Sequence, residues 1–209
     1  KNAGGPATEN ERQENSARFS ALDQYLFGQA THYDLYRKMG SHLEKKNGVD
    51  GVWFTVWAPA ARAVSVIGEF NGWDECKNIM EKVSDGGVYE LFVPEAREGH
   101  LYKYCITSQT GELLYKADPY AFSSEKRPGN ASRIADINGF KWSDAAWLKK
   151  REKFDPKTSA MSIYEVHPGS WKKHPYSDEN PEGFYDYEYF AKALVDYVKD
   201  MGYTHVELM

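Results

Sequence analysis

Cysteine is scarce in this chain: among 209 residues there are two, Cys76 and Cys105. One falls in a predicted loop and the other in a predicted strand, and their spacing fits neither a metal site nor a disulfide framework. The sequence therefore predicts no metal and no other cofactor, and it favours a reducing, cytoplasmic location.

Long apolar runs are also missing. No stretch approaches the roughly 20 apolar residues of a membrane-spanning helix. The polar residues 1–6 do not form the apolar centre of a signal peptide. We therefore expect no membrane partner.

Positive charge is in short supply, since lysine and arginine total 26 against 31 for aspartate and glutamate, a formal net charge of -5. The lysines form no basic stripe, which argues against nucleic acid as a partner. Aromatic residues, by contrast, make up 15% of the chain. Because Tyr and Trp stack on sugar rings, this composition favours a carbohydrate ligand without establishing one.

The chain begins with two segments of weak apolar pattern. Residues 1–18 are polar and rich in turn formers, which predicts a disordered lead-in. Residues 19–47 are predicted to be a helical segment. One helix is expected to run from His32 to near Gly40, after a Thr31–Asp34 pair that resembles a capping box.

Residues 48–140 contain several short strands with turn signals between them, as in an antiparallel β-sandwich. Two of these strands, residues 52–59 and 63–74, are predicted to pair as a hairpin. The second ends at Trp73, in a turn where Gly72 tolerates positive φ. This tryptophan either covers the core or contacts a ligand.

The strand over residues 99–107 alternates between two environments. If Tyr102 and Tyr104 face the core, Lys103 faces outward and can offer its ammonium group to a hydroxyl-rich ligand. A surface lysine with no specific role is at least as good an interpretation. Asn130, in a later turn, either caps its loop or donates its amide to a ligand.

Residues 141–160 carry a run of charges and are predicted to be a linker with helical tendency. In residues 161–209, a strand, a helix capped by Asp186 and a second strand indicate a βαβ unit with parallel strands and a right-handed crossover. Two strands and one helix cannot cover their own apolar faces, so further strands are expected beyond Met209.

Taken together, these residues resemble the glycogen (1,4-α-glucan) branching enzymes of the α-amylase superfamily, from about Tyr25 to Met209. The segments that carry the resemblance are Phe54-Thr55-Val56-Trp57-Ala58-Pro59, Gly68-Glu69-Phe70-Asn71-Gly72-Trp73, Leu101-Tyr102-Lys103-Tyr104, Asp118-Pro119-Tyr120-Ala121, Ile163-Tyr164-Glu165-Val166-His167-Pro168-Gly169-Ser170-Trp171 and Met201-Gly202-Tyr203-Thr204-His205-Val206-Glu207-Leu208.

The resemblance implies a mainly β fold: an immunoglobulin-like β-sandwich of the family-48 carbohydrate-binding type, followed by the truncated first βαβ unit of a TIM barrel. It also implies intramolecular packing against the rest of that barrel. The reaction implied for the whole enzyme cleaves an α-1,4 bond and moves the freed glucan segment to a 6-hydroxyl with retention of configuration. Such chemistry needs a carboxylate nucleophile and a carboxylic acid about 5 Å apart.

In this family the two catalytic groups lie on later barrel strands, so the resemblance assigns no catalytic residue to this chain. The chain is expected to be inactive and to bind or position glucan. Glu165 and Glu207 form a tempting carboxylate pair but match no catalytic motif of the family, and barrel packing or a polar network is favoured for both. His167 is interpreted as a hydrogen-bonded structural histidine.

The implied ligand is α-1,4-glucan, as glycogen or maltooligosaccharide. Related modules bind it with a loop tryptophan, a strand lysine and an asparagine near the last strand, which correspond here to Trp73, Lys103 and Asn130. Where those modules carry a second tryptophan on the strand after the lysine, this chain is expected to have Leu113 or Leu114.

Two further interpretations stay open. The chain can be a stand-alone, non-catalytic module that binds or targets α-glucan, or it can be a fragment of a glycogen debranching enzyme with the same architecture. The segment Gly169-Ser170-Trp171 resembles branching enzymes in particular and disfavours the debranching interpretation.

Overall fold

The computed structural model of the chain describes residues 17–209. The predicted lead-in, residues 1–18, therefore lies outside the described residues, apart from Ala17 and Arg18. The chain divides into two compact units with the boundary between Phe140 and Lys141.

Short elements dominate both units. In chain order the described residues form α1 (Ala21–Gly28), β1 (Gly40–Lys46), β2 (Val49–Trp57), β3 (Ala63–Gly68), β4 (Glu81–Lys82), β5 (Val88–Val93), β6 (Leu101–Thr107), β7 (Leu113–Lys116), β8 (Ser123–Ser124), β9 (Ser132–Arg133), α2 (Ala145–Arg151), β10 (Ile163–Val166), α3 (Pro168–Trp171), α4 (Tyr187–Asp200) and β11 (His205–Leu208). Among these residues no helix combines the length and apolar character needed to cross a membrane.

The first unit is the predicted antiparallel β-sandwich. One sheet has the strand order β1-β2-β5-β4, and the other has β3-β6-β9-β8 with β7 also paired to β6. Because side chains alternate along each strand, one side of each sheet faces the other sheet. The core consists of buried residues, including Val52, Phe54, Val56, Val64, Val66, Tyr102, Tyr104 and Ile134.

The segment between α1 and β2 differs from the prediction of a helix that starts at His32. The chain makes one 3-10 turn, Leu35–Arg37, and then enters β1. β1 and β2 are joined by a two-residue loop, Asn47-Gly48, and both loop residues have positive φ. Asn-Gly in this conformation is the preferred β-hairpin turn. The predicted helix is wrong: its weak apolar pattern supports only this single turn, and the first strand of the sandwich begins at Gly40.

The hairpin predicted between β2 and β3 is also wrong, since these strands lie in different sheets. β2 pairs with β1 and β5, whereas β3 pairs with β6. The composition of β2 explains its position: Val52 and Phe54 are buried between the sheets, and Trp53 and Thr55 are buried on the other side. A strand with both faces buried suits the centre of a covered sheet.

Helix α1 begins with a capping box at Ser20 and Asp23 rather than at the Thr31–Asp34 pair. Asp23 N donates to Ser20 Oγ at 3.2 Å, and Ser20 N donates to Asp23 Oδ2 at 2.8 Å. The Asp23 carboxylate also lies 2.8 Å from His32 Nε2 and 3.0 Å from Lys38 Nζ. These contacts hold α1 against the segment that follows it.

A buried carboxylate ties the chain before α1 to the first sheet. Glu90 of β5 is 3% exposed and accepts hydrogen bonds from Arg18 N at 2.7 Å, Phe19 N at 3.0 Å and Thr55 Oγ1 at 3.1 Å. Burial outweighs these hydrogen bonds and raises the pKa of Glu90 above its usual value. The N-terminal segment is therefore part of the cover over this sheet.

The second unit contains the predicted strand, helix and parallel strand. β10 and β11 pair in parallel along their full lengths. α4 begins at the predicted N-cap, Asp186, whose Oδ1 accepts from Tyr189 N at 2.7 Å. The apolar stripe of α4 is buried with Val166 of β10 and consists of Phe190, Leu194 and Val198. Within the predicted linker, residues 141–160, the chain forms α2.

We expect Asp23→Asn to remove part of the acid sensitivity of the fold. Burial raises the pKa of Asp23, but hydrogen bonds from Ser20, His32 and Lys38 outweigh burial and hold this pKa well below its usual value. A carboxyl group whose pKa is lower in the folded state stabilises the fold above its unfolded pKa of about 3.9, and this contribution is lost as the pH falls.

Urea unfolding of both proteins, followed by tryptophan fluorescence at about pH 7 and about pH 3, measures this effect. At the higher pH the free energy of unfolding of the variant should be lower than that of the wild type by about 1 kcal/mol or more. This difference between the two proteins should become smaller at the lower pH. Asp34→Asn, at an exposed carboxylate, is the control. An Asp23→Asn gap of equal size at both pH values would contradict the prediction.

Candidate functional site

The orientation of Lys103 on β6 is set by two tyrosines on the other face of the strand. Tyr102 and Tyr104 are fully buried between the sheets, and their hydroxyl groups donate to Asp118 Oδ2 at 2.6 Å and 3.2 Å. Burial raises the pKa of Asp118 despite these hydrogen bonds. Because side chains alternate along a strand, Lys103 points to the outer side of the second sheet. The predicted alternation is confirmed.

One edge of β6 is shared by two short strands. β9 pairs with the first two residues of β6 and β7 with its last four, so Lys103 lies at the gap between them. On the other edge Lys103 lies opposite Ile67 of β3. The Lys103 ammonium group donates to Oδ1 of Asn130, which lies two residues before β9. The structure therefore brings two of the three predicted site residues into contact.

Trp73 lies in the loop that follows β3. Trp73 N donates to Gly68 O at 2.9 Å, and Gly68 lies opposite Tyr102, the neighbour of Lys103. Asn71 shapes this loop, because its Oδ1 accepts from Gly68 N at 3.0 Å and from Trp73 N at 3.2 Å. Trp73 has φ of 62°, which is unusual for a bulky residue, and it is 37% exposed. Part of the indole thus remains open to a ligand.

The same face carries an aromatic residue that sequence analysis missed. Tyr115 of β7 lies directly opposite Cys105, so it shares the outer face with Lys103, and it is half exposed. Leu114 turns to the core side, opposite Ile106, and Leu113 lies further along the strand. Only the pairing register of β7 identifies Tyr115, which is why the sequence pattern did not.

The loop after β3 lies across the outer side of β6. Ser65 Oγ donates to Glu75 O at 2.9 Å, and the charge of the Glu75 carboxylate raises the pKa of Tyr115. Both cysteines are free thiols: Cys105 is buried, whereas Cys76 in the loop is exposed. The loop is therefore tied to β3 and lies over the outer side of the sheet.

The outer face of the second sheet thus carries Lys103, Tyr115 and Asn130, and Trp73 lies in the loop that follows β3. We name these four residues the β6 face. Aromatic rings stack on the apolar side of a sugar, and ammonium and amide groups donate to hydroxyls. This chemistry suits a neutral, hydroxyl-rich ligand. Within residues 17–209, no group of three or more His, Cys, Asp or Glu side chains is placed to hold a metal ion.

In the second unit, Glu165 and Glu207 are register partners on β10 and β11, and both are exposed. Parallel pairing alone places them side by side. His167 follows β10, and its Nδ1 lies 3.0 Å from Ser170 Oγ. A packing or polar-network role for the two glutamates stays a prediction.

Three kinds of comparison bear on this architecture, beginning with a family profile. The carbohydrate-binding module 48 (isoamylase N-terminal domain) matches residues 38–121. This range starts just before β1 and contains Trp73, Lys103 and Tyr115. Asn130 lies beyond its end.

Curated relatives include the protein named 1,4-alpha-glucan branching enzyme GlgB of Butyrivibrio fibrisolvens, which is 51% identical over 187 residues. The protein of the same name from Protochlamydia amoebophila is 49% identical over 191 residues. These matches cover 90% and 91% of this chain, but 29% and 26% of the relatives. The chain therefore spans less than a third of the length of these relatives.

Solved structures with the same fold include apo pullulanase from Klebsiella pneumoniae, with a TM-score of 0.54 and 22% identity, covering 82% of this chain and 20% of that one. Pullulanase from Bacillus acidopullulyticus gives a TM-score of 0.52 and 22% identity, covering 82% and 21%. At this level of identity the likeness concerns the fold alone. The curated relatives go further: about 90% of the chain matches the N-terminal part of proteins named 1,4-alpha-glucan branching enzyme, and residues 38–121 match the carbohydrate-binding module 48 family.

Proposed function

We propose that this chain is the glucan-binding N-terminal part of an enzyme that moves α-1,4-glucan segments to 6-hydroxyl groups and so makes α-1,6 branches. The observation that carries the proposal is the contact between Lys103 and Asn130 on the β6 face, with Trp73 in the loop that follows β3, in a chain whose residues 38–121 match the carbohydrate-binding module 48 family. The names of the curated relatives supply the reaction.

In this proposal the β6 face holds glucan by stacking and hydrogen bonding. The exposed part of the Trp73 indole stacks on the apolar side of a glucose ring, and Tyr115 offers a second aromatic surface. Because Asn130 Oδ1 already accepts from Lys103, the Asn130 amide NH2 group and the remaining Lys103 protons are left to donate to sugar hydroxyls. No charge on the ligand is needed.

We assign bond cleavage and transfer to groups outside this chain and give none of its residues a catalytic role. The chain binds or positions the glucan on which those groups act. Retention of configuration requires two carboxyl groups that flank the scissile bond, and we leave Glu165 and Glu207 in the packing of β10 and β11. The free thiols fit the proposed cytoplasmic location.

We also propose that the second unit packs against further barrel elements. An apolar groove of about 400 Å³ runs along α4 and β11, lined by Pro168, Tyr187, Phe190, Ala191, Leu194, Val195, Val198, Val206 and Leu208. Parallel strands are normally covered on both faces. In the whole protein, later strands and helices of the barrel would cover this groove.

Maltohexaose titrated into the protein should quench tryptophan fluorescence, and Trp73→Ala should abolish that quench and weaken binding roughly tenfold, or about 1.4 kcal/mol. Trp73 is expected to be the stacking indole on the β6 face. Trp147→Ala is the matched control, since Trp147 is also exposed and lies in the other unit. An unchanged quench in Trp73→Ala would remove Trp73 from the site.

Tyr115→Ala should also weaken maltohexaose binding, with the fold intact, because the exposed ring lies on the same face as Lys103. Leu114→Ala, on the core side of the same strand, should affect stability more than affinity. Isothermal titration calorimetry measures the affinity of each variant for maltohexaose, and urea unfolding measures its stability. Equal affinity of Tyr115→Ala and wild type would exclude Tyr115 from the site.

The uncovered groove of the second unit should make the chain associate at high concentration. Replacing an exposed residue of the groove, Leu208→Lys, should reduce this association, whereas Val49→Lys, at an exposed apolar residue of the first unit, should not. Sedimentation velocity over a concentration series measures the effect. A strictly monomeric wild-type protein would contradict the prediction.

A further inference from the structure

The two cysteines of the chain, far apart in sequence, lie on the same side of the second sheet. Cys105 of β6 has Ser65 of β3 as its register partner on one side and Tyr115 of β7 on the other. Cys76 belongs to the loop after β3, which lies over this sheet. Both thiols are free; Cys105 is 2% exposed, whereas Cys76 is exposed. The fold therefore brings an exposed thiol and a covered thiol to one place.

The loop is tied to the strand beside Cys105. Ser65 Oγ donates to the backbone oxygen of Glu75 at 2.9 Å, and Glu75 is the residue before Cys76. Because side chains alternate along β6 and Tyr104 points into the core, Cys105 points outward, toward the loop. An outward-facing side chain stays buried only where another part of the chain covers it. The contact at Ser65 shows that the backbone around Glu75 provides this cover.

The electrostatics of Cys105 agree with this placement. Burial is the main cause that raises the pKa of Cys105, and the charges of Glu75 and Cys76 raise it further. A neighbouring charge shifts a pKa in this way only from a short distance. A disulfide needs Cα atoms about 4.4–6.8 Å apart, and the loop backbone already forms a hydrogen bond with the register partner of Cys105. A bridge therefore asks for movement of the loop and not of the sheet.

The loop is held at both ends, which limits how far Cys76 can move from the sheet. Near its start, Asn71 Oδ1 accepts a hydrogen bond from Trp73 N at 3.2 Å. At its end, Ile79 forms an antiparallel β-bridge with Ser65. A group confined beside its reaction partner has a high effective concentration toward it. The confinement of the loop thus favours a bond within the chain over a bond between two chains.

We infer that Cys76 and Cys105 form a reversible disulfide when the protein meets a hydroperoxide. The exposed Cys76 reacts first: its thiolate attacks one oxygen of hydrogen peroxide, the O–O bond breaks, and the products are a sulfenic acid and hydroxide, which takes the thiol proton as water. The Cys105 sulfur then attacks the Cys76 sulfur, the S–O bond breaks, and the oxygen leaves with the Cys105 proton as a second water. Two electrons pass to the peroxide. A dithiol reverses the reaction by thiol–disulfide exchange.

The bridge would regulate glucan binding at the β6 face. This step rests on the proposed function, whereas the bridge itself does not. Trp73 lies in the same loop as Cys76, and Tyr115 lies beside Cys105 on the sheet. Drawing Cys76 onto Cys105 pulls the loop toward Tyr115 and covers part of the ring that is open for stacking. Oxidation should therefore weaken glucan binding, and reduction should restore it.

Mass spectrometry of the wild-type chain tests the bridge. Each sample is labelled with N-ethylmaleimide in urea, so that every free thiol gains one label. The reduced chain should carry two labels, the peroxide-treated chain none, and dithiothreitol should restore both; digestion should give one peptide pair joined through Cys76 and Cys105. Ser65→Ala, which removes the tie to the loop, should slow bridge formation about fivefold. Ser84→Ala, which removes a hydrogen bond in another turn of the sandwich, is the matched control.

Calorimetry with maltohexaose tests the regulation. The dissociation constant of the oxidised wild type should be roughly tenfold higher than that of the reduced protein, whereas Cys76→Ser should not respond to peroxide. An oxidised chain that keeps one label, or that is joined to a second chain, overturns the bridge. If the bridge forms and the affinity does not change, the regulation is wrong and the proposed function stands. If the bridge forms but the reduced protein binds no maltohexaose, the bridge stands and the proposed function is wrong.

Discussion

The sandwich depends on a carboxylate that is withdrawn from water and held by its neighbours. Asp118 accepts from Tyr102 and Tyr104, and its own N donates to Ser132 Oγ at 2.8 Å, which ties β6 and β9 to the chain after β7. Losing one of the two tyrosine hydroxyls would leave fewer hydrogen bonds to offset the burial of this carboxyl group. Because the two tyrosines must point inward to reach Asp118, Lys103 must point outward. A hydrogen-bond network in the core thus positions a residue on the surface.

Local sequence patterns predicted where strands and helices lie better than they predicted which strands pair with each other. The alternation along β6 and the strand, helix and parallel strand of the second unit are as expected. The predicted pairing of β2 with β3 is absent from the structure. Because β2 is buried on both sides, it lies inside the first sheet, and β3, although close in sequence, lies in the second sheet. The helix predicted from His32 is not formed either: the chain makes a single 3-10 turn, Leu35–Arg37, before β1 begins at Gly40.

The candidate site was predicted in part. Trp73, Lys103 and Asn130 follow from motifs in the sequence, and the contact between Lys103 and Asn130 brings two of them together. Tyr115 could not be found in this way, because its face depends on the register of β7 against β6.

The two free thiols differ in a useful way. Cys105 is buried beneath the loop after β3, whereas Cys76 is exposed within that loop, three residues from Trp73. A thiol-reactive fluorophore would therefore attach selectively to Cys76 in the folded protein. Because Asn71 and Ser65 hold the loop, the dye would be anchored close to the indole of Trp73. The natural sequence therefore offers a labelling position at the edge of the β6 face without an introduced cysteine.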